Sequence, residues 1–155
     1  MKAPDKLETV VEVATRKRDD ALQALARAQR EYHSASMQMT QLRGYTQESL
    51  SRWSERASRG VTAQLLHTHQ TFMGKLDHAV SFQGNVMERL QHHMAHCQQQ
   101  VMQAERELAS LNKYIDRRHQ TWQRQLHRQD QKSNDEMAAT QHRQHATAHP
   151  WRHTP

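Results

Sequence analysis

This chain is poor in the residues that break helices, cross-link loops or fill thick cores. Its 155 residues include one cysteine, three prolines, four glycines, two phenylalanines, three tyrosines and three tryptophans. The lone thiol, Cys97, excludes an internal disulfide, so nothing asks for an oxidising compartment. No proline occurs between Pro4 and Pro150, which removes the strongest helix breaker from most of the chain. Hydrophobic residues are 35% and aromatics 5%, with a mean hydropathy of -1.08. That is too little apolar material for a globular core but enough for a seam one helix wide. No run approaches the roughly eighteen apolar residues of a membrane span, and Glu8 and Glu12 interrupt the stretch a signal peptide would need apolar. The expected location is the cytoplasm.

What is present is helix-forming Gln, Ala, Arg and Leu arranged in heptads. Leu7, Val11, Ala14, Arg18, Ala21, Leu25, Ala28, Tyr32, Ala35, Met39, Leu42, Thr46, Ser49 and Trp53 follow one another by alternating steps of four and three. Such a stripe keeps one face of a helix against one partner. Pro4 and Asp5 read as the start of this helix. The plausible break after it is Ser58 to Thr62, where Gly60 can take a left-handed conformation and Thr62 can cap a second helix.

The second helix has its own seam: Leu65, Phe72, Leu76, Ala79, Val86, Leu90, Met94, Cys97, Val101, Ala104, Leu108, Leu111, Ile115 and Trp122. With the turn near Gly60, residues whose numbers sum to about 120 lie level, so Leu7 falls beside Ile115, Gly44 beside Gly74 and Ala35 beside Gly84. Small residues at these levels would permit close approach; otherwise the glycines only loosen helix interiors by about 1 kcal/mol each. Alanine in place of leucine at Ala14, Ala21, Ala28 and Ala35 forgoes roughly 2 kcal/mol per position, so the pair is expected to be marginal alone. Helix one would be roughly 80 Å long, and helix two longer, projecting beyond it after about Asp116. The expected fold is all-α: a long two-helix antiparallel coiled-coil hairpin over residues 1–140, with helix one at about 5–58, the turn at 58–62 and helix two at about 62–139. Residues 141–155, rich in His and without periodicity, form an expected disordered tail.

Chemistry is sparse. His92, His93, His96 and Cys97 are the one metal-like cluster, but i, i+4 spacing splits them into two pairs on two faces, so no metal site and no cofactor is assigned. The tail histidines His142, His145, His149 and His153 are discounted likewise. Cys97 as a nucleophile would need a base and an orienting acid in a pocket that a helix pair does not offer; the chain is read as not an enzyme. The net charge of +6 favours acidic partners. Arg106, Lys113, Arg117, Arg118, Arg124, Arg128 and Lys132 concentrate it late in helix two, diluted by Glu105, Glu107, Asp116 and Asp130.

Leu7-Glu8-Thr9, Asp19-Asp20-Ala21, Leu42 and Tyr45, Gly60 in the turn, Phe72, Leu76, Ala79-Val80 and Trp122 together fall at the spacing of a known family. Over roughly residues 5 to 140 the chain resembles the FliJ family, the small coiled-coil proteins of the bacterial flagellar type III export apparatus. The resemblance implies a non-enzymatic stalk. The end carrying both termini would enter the ring of the hexameric export ATPase, and the opposite end would reach the cytoplasmic domain of the export gate membrane protein. It also implies handling of export chaperones, and membrane association only through partners. The family's gate-binding positions correspond to Gln38, Leu42, Tyr45, Phe72, Leu76 and Ala79, while Ser49 and Gln83 depart from the Tyr and His often found there. Burial in the seams accounts for Leu42, Phe72, Leu76 and Ala79 without a gate, leaving Gln38 and Tyr45 as the clearer surface residues. For the ATPase, charge and position suggest a basic collar of Lys6, Arg16, Lys17, Arg117 and Arg118 with Trp122.

Three other readings fit parts of the pattern. One is the equivalent stalk of a virulence type III secretion system, which gene neighbourhood would separate. A nucleic-acid-binding coiled coil would show steeply salt-dependent affinity, and the stalk reading expects no nucleic-acid partner. A homodimeric scaffold would pair Leu7 to Trp53 with a second chain, and sedimentation would reveal it.

Overall fold

A computed structural model describes residues 7–148. Two helices account for nearly all of them: α1, Leu7–Ser58, and α2, Ala63–Thr147, of 52 and 85 residues. The chain folds back on itself as the expected two-helix hairpin, with no strand among the described residues. The expected helix start at Pro4 and Asp5 lies outside the described residues.

The turn is built from local chemistry. Gly60 adopts φ +93°, a left-handed conformation that a side chain would strain. The last turn of α1 tightens as the Arg59 and Gly60 amides donate to the Arg56 and Ala57 carbonyls, both at 3.1 Å. Thr62 then caps α2: its Oγ1 accepts from the Leu65 amide at 3.2 Å.

Helix α2 continues past the expected Ala139 to Thr147, so residues 141–147 of the expected tail are helical. Helical hydrogen bonds need no apolar stripe, and Gln, Ala and Arg tolerate the conformation well. The helix ends just before His149-Pro150, where the residue preceding a proline is disfavoured in the helical region.

By contacts the chain forms two units, Glu12–Leu108 and the pair Met1–Val11 with Ala109–Pro155. Within Glu12–Leu108 the buried side chains are Ala14, Ala28, Ala35 and Met39 on α1 and Leu76, Gln83, Cys97, Val101, Ala104 and Leu108 on α2. The whole α1 stripe read from the sequence is buried or half-buried. Its polar members are accommodated locally. Arg18 turns its guanidinium to Asp19, at 2.9 and 3.2 Å, leaving its stem at the seam, and Thr46 Oγ1 donates back to the Leu42 carbonyl at 2.8 Å.

The α2 stripe agrees except at Phe72, which is 38% exposed, while its neighbour Met73 is half-buried. Close approach at the glycines does not occur: a Cβ on Gly44 or Gly74 would meet nothing within 4 Å, and one on Gly84 would meet only the Met39 methyl at 3.7 Å. In the other unit, Leu7, Val11, Leu111 and Ile115 are half-buried. Beyond Ile115, only Trp122 and Gln125 among the described residues are less than exposed.

Candidate docking surfaces

Cross-helix contacts establish the register and show which residues share a flank. Tyr45 meets Phe72 edge to face, with ring centroids 6.2 Å apart at 80°. Lys17 reaches Glu107 at 3.4 Å. Both pairs sum to about 120, as expected from a turn at Gly60. Lys17, Gln38 and Tyr45 are separated by whole heptads on α1, as are Phe72, Ala79 and Glu107 on α2. All therefore occupy one flank of the helix pair, with half-buried Ala79 at the edge of the seam and the others beside it.

The six residues expected to meet the gate divide accordingly. Tyr45 and Phe72 are 53% and 38% exposed and touch each other, a pair of amphipathic or apolar rings held at the surface. Gln38 is exposed, and Ala79 and Leu42 are half-buried. Leu76, at 8% exposure, belongs to the core and presents almost nothing to a partner. Phe72 is thus the residue whose role changes most from the sequence reading, from seam to surface.

Gln83 stands where the resembled family often has His, and it is buried at 8% exposure. Its Nε2 donates to the Ala35 carbonyl at 2.9 Å and to Gln38 Oε1 at 3.3 Å. The departure at this position is therefore absorbed by the seam, and it also steadies the Gln38 side chain from below. Ser49, the other departure, is half-buried and leaves space next to Phe72 and Trp53.

The residues expected to meet the ATPase fall in different units. Arg16 and Lys17 are exposed on α1 within Glu12–Leu108, and Lys17 is engaged by Glu107. Arg117, Arg118 and Trp122 lie on α2 in the other unit, where the Arg118 guanidinium sits 5.9 Å from the centre of the Tyr114 ring. Trp122 is half-buried and lines a shallow depression with Gln125, Leu126, Arg128 and Gln129. Lys6 lies outside the described residues.

The His and Cys cluster keeps the two-faced arrangement read from its spacing. Cys97 is 5% exposed in the seam, with His93 Nε2 at 3.7 Å, while His92 turns outward toward Glu88 at 3.9 Å. Among the described residues no three His, Cys, Asp or Glu side chains converge on one point. One contact was missed from the sequence. Trp53 stacks on His69 with centroids 3.8 Å apart, and the level rule that pairs numbers summing to about 120 was the available signal.

The family model described as "Flagellar FliJ protein" matches residues 1–147. The chain belongs to the FliJ family. Comparison with curated proteins gives no match, and neither does comparison with solved structures. As a family member the chain is a component of the flagellar type III export apparatus, in which the FliJ family is a non-enzymatic helical hairpin that interacts with other components. Among the described residues, no helix is long and apolar enough to cross a membrane.

Proposed function

We propose that this FliJ-family chain is the stalk that links the hexameric export ATPase to the cytoplasmic domain of the export gate, working in the cytoplasm at the inner face of the membrane. The observation that carries the gate half is the Tyr45 and Phe72 pair: two rings in mutual contact, both exposed, on one flank near the turn. Rings kept out of the seam at a cost in exposed apolar area favour a partner that covers them. Gln38, Leu42 and Ala79 would border that contact, and Leu76 would support it from the core.

For the ATPase, the proposed contacts are Arg16 and Lys17 on α1 and Arg117, Arg118 and Trp122 on α2, whose cationic side chains suit acidic residues in a ring pore. The stalk acts by binding some states of the ring more tightly than others, because equal binding to all states shifts nothing. Export chaperones are further proposed partners, and association with the membrane is peripheral and made only through partners.

The test is the rate of the purified flagellar export ATPase from the same organism, titrated with this protein at constant salt. A saturable rise, weakened by Arg117→Glu or Arg118→Glu and unchanged by truncation after Thr140, is the expected result. A flat response from an active ATPase, or charge reversals without effect, would overturn the ATPase half. Binding of the gate's cytoplasmic domain, measured separately, is expected to fall in Tyr45→Ala and Phe72→Ala, and the gate half fails if neither change weakens it.

A further inference from the structure

Nearer the turn than Tyr45 lies a second aromatic contact that neither proposed partner uses. Trp53 on α1 and His69 on α2 stack across the helix pair, with ring centroids 3.8 Å apart and planes 4° from parallel. Both are half-buried, so part of each ring remains at the surface. One turn before Trp53 the short side chain of Ser49 leaves room beside them. The result is a shallow, open depression of about 210 Å³ lined by Ser49, Arg52, Trp53, Arg56, His69 and Phe72. Sites for whole small molecules enclose roughly 300 to 1,000 Å³, so this one is scaled to a side chain.

Its charge is equally specific. Arg52 is held by Glu48 at 2.6 Å and Arg59 by Glu55 at 3.6 Å, whereas Arg56 makes no ion pair among the described residues. From Arg56 to Leu76 the sequence contains no Asp or Glu. One guanidinium thus stands uncompensated at the rim of an aromatic-walled depression. An unpaired Arg beside a concave wall suits a single carboxylate, which its fork can meet with two parallel hydrogen bonds. A bilayer would call for a broad basic surface, but two of the three arginines here are already neutralised.

We propose that this depression is a docking subsite for an acidic segment of a partner protein. An apolar side chain of that segment packs against the Trp53 and His69 stack, and an adjacent carboxylate pairs with Arg56. The subsite goes beyond the gate contact, with which it shares Phe72 and the departed position Ser49.

The full-length protein, labelled with nitrogen-15, is titrated with the peptide Ac-Glu-Leu-Phe-Glu-NH2 while the Trp53 indole resonance is followed, that resonance being assigned through Trp53→Phe. The uncharged isostere Ac-Gln-Leu-Phe-Gln-NH2 and vesicles of phosphatidylglycerol are titrated in parallel. The acidic peptide is expected to shift the Trp53 signal saturably, and to bind about tenfold more weakly to Arg56→Gln, the loss typical of a hydrogen bond to a charged group. The amide peptide is expected to bind about tenfold more weakly than the acidic one for the same reason, and Arg59→Gln to bind like the parent. Equal binding of the two peptides, unchanged affinity in Arg56→Gln, no shift at Trp53, or a response to vesicles but not to peptide would each overturn the proposal. Because the probe contains no part of the gate, this outcome is separate from that of the gate reading.

Discussion

The side-chain amide of Gln83 donates to the main-chain carbonyl of Ala35, 2.9 Å away on the facing helix. Ala35 is 5% exposed, so the bond is made inside the seam, where a small residue on one helix admits a polar side chain from the other. The second bond from the same amide, to Gln38 Oε1 at 3.3 Å, carries this order out to the flank.

Gln83→Ala is expected to lower stability by about 1–3 kcal/mol, through lost hydrogen bonds and an unfilled space in the seam. Gln83→Leu, which keeps most of the volume, should fall between the parent and Gln83→Ala. Urea unfolding followed by circular dichroism at constant protein concentration measures both, and an unchanged midpoint in Gln83→Ala would contradict the structural role.

Leu76 and Phe72 are neighbours one turn apart with opposite assignments. Leu76→Ala should cost about 2–4 kcal/mol, as truncation of a buried leucine does. Phe72→Ala should cost under about 1.5 kcal/mol, the scale of an edge-to-face ring pair, yet weaken gate-domain binding more than any loss of folded protein explains. Thermal unfolding and binding measured on the same samples separate the two effects.

Glycine substitutions should divide by backbone conformation. Gly44→Ala and Gly74→Ala place a methyl in open space within a helix and are each expected to stabilise by about 0.5–1 kcal/mol. Gly60→Ala meets open space too, but at φ +93° it should cost about 1–2 kcal/mol. A melting temperature that moved the same way for all three would show that space rather than backbone conformation governs these sites.

The Lys17 and Glu107 ion pair, with side chains 65% and 44% exposed, should contribute under about 1 kcal/mol. Lys17→Glu is therefore expected to leave the protein folded, and adding Glu107→Lys to restore the small loss. If Lys17 also meets the ATPase, activation lost in the single variant will not return in the double one. Recovery of activation in the double variant would confine Lys17 to its intramolecular pair.

The helix pair was legible because its determinants are local or periodic. The four-three stripe of α1, the left-handed Gly60 and the Thr62 cap each depend on residues a turn or two apart, and each is found where the sequence places it. The end of α2 was less legible, because residues 141–147 lack an apolar stripe and a helix can continue without one.

The candidate surfaces were only half visible. Membership of one flank follows from heptad spacing, so Gln38 and Tyr45 could be set apart from the seam without coordinates. Whether Phe72 or Met73 turns inward could not, since adjacent residues differ by about 100° around a helix and either fits an apolar stripe. The departure at Gln83 likewise read as a change of surface, until the facing Ala35 carbonyl showed it to be interior.

By itself, then, the sequence determined the helices, the site of the turn and the level at which residues face each other, because period, capping and glycine geometry are written within single turns. The tertiary structure alone decided which aromatic rings remain outside the seam, that Arg56 makes no ion pair among the described residues, and that Trp53 and His69 form one wall of a shallow depression. Those outcomes depend on the rotation of each helix about its own axis, which is set by packing across the pair rather than by any stretch of either helix.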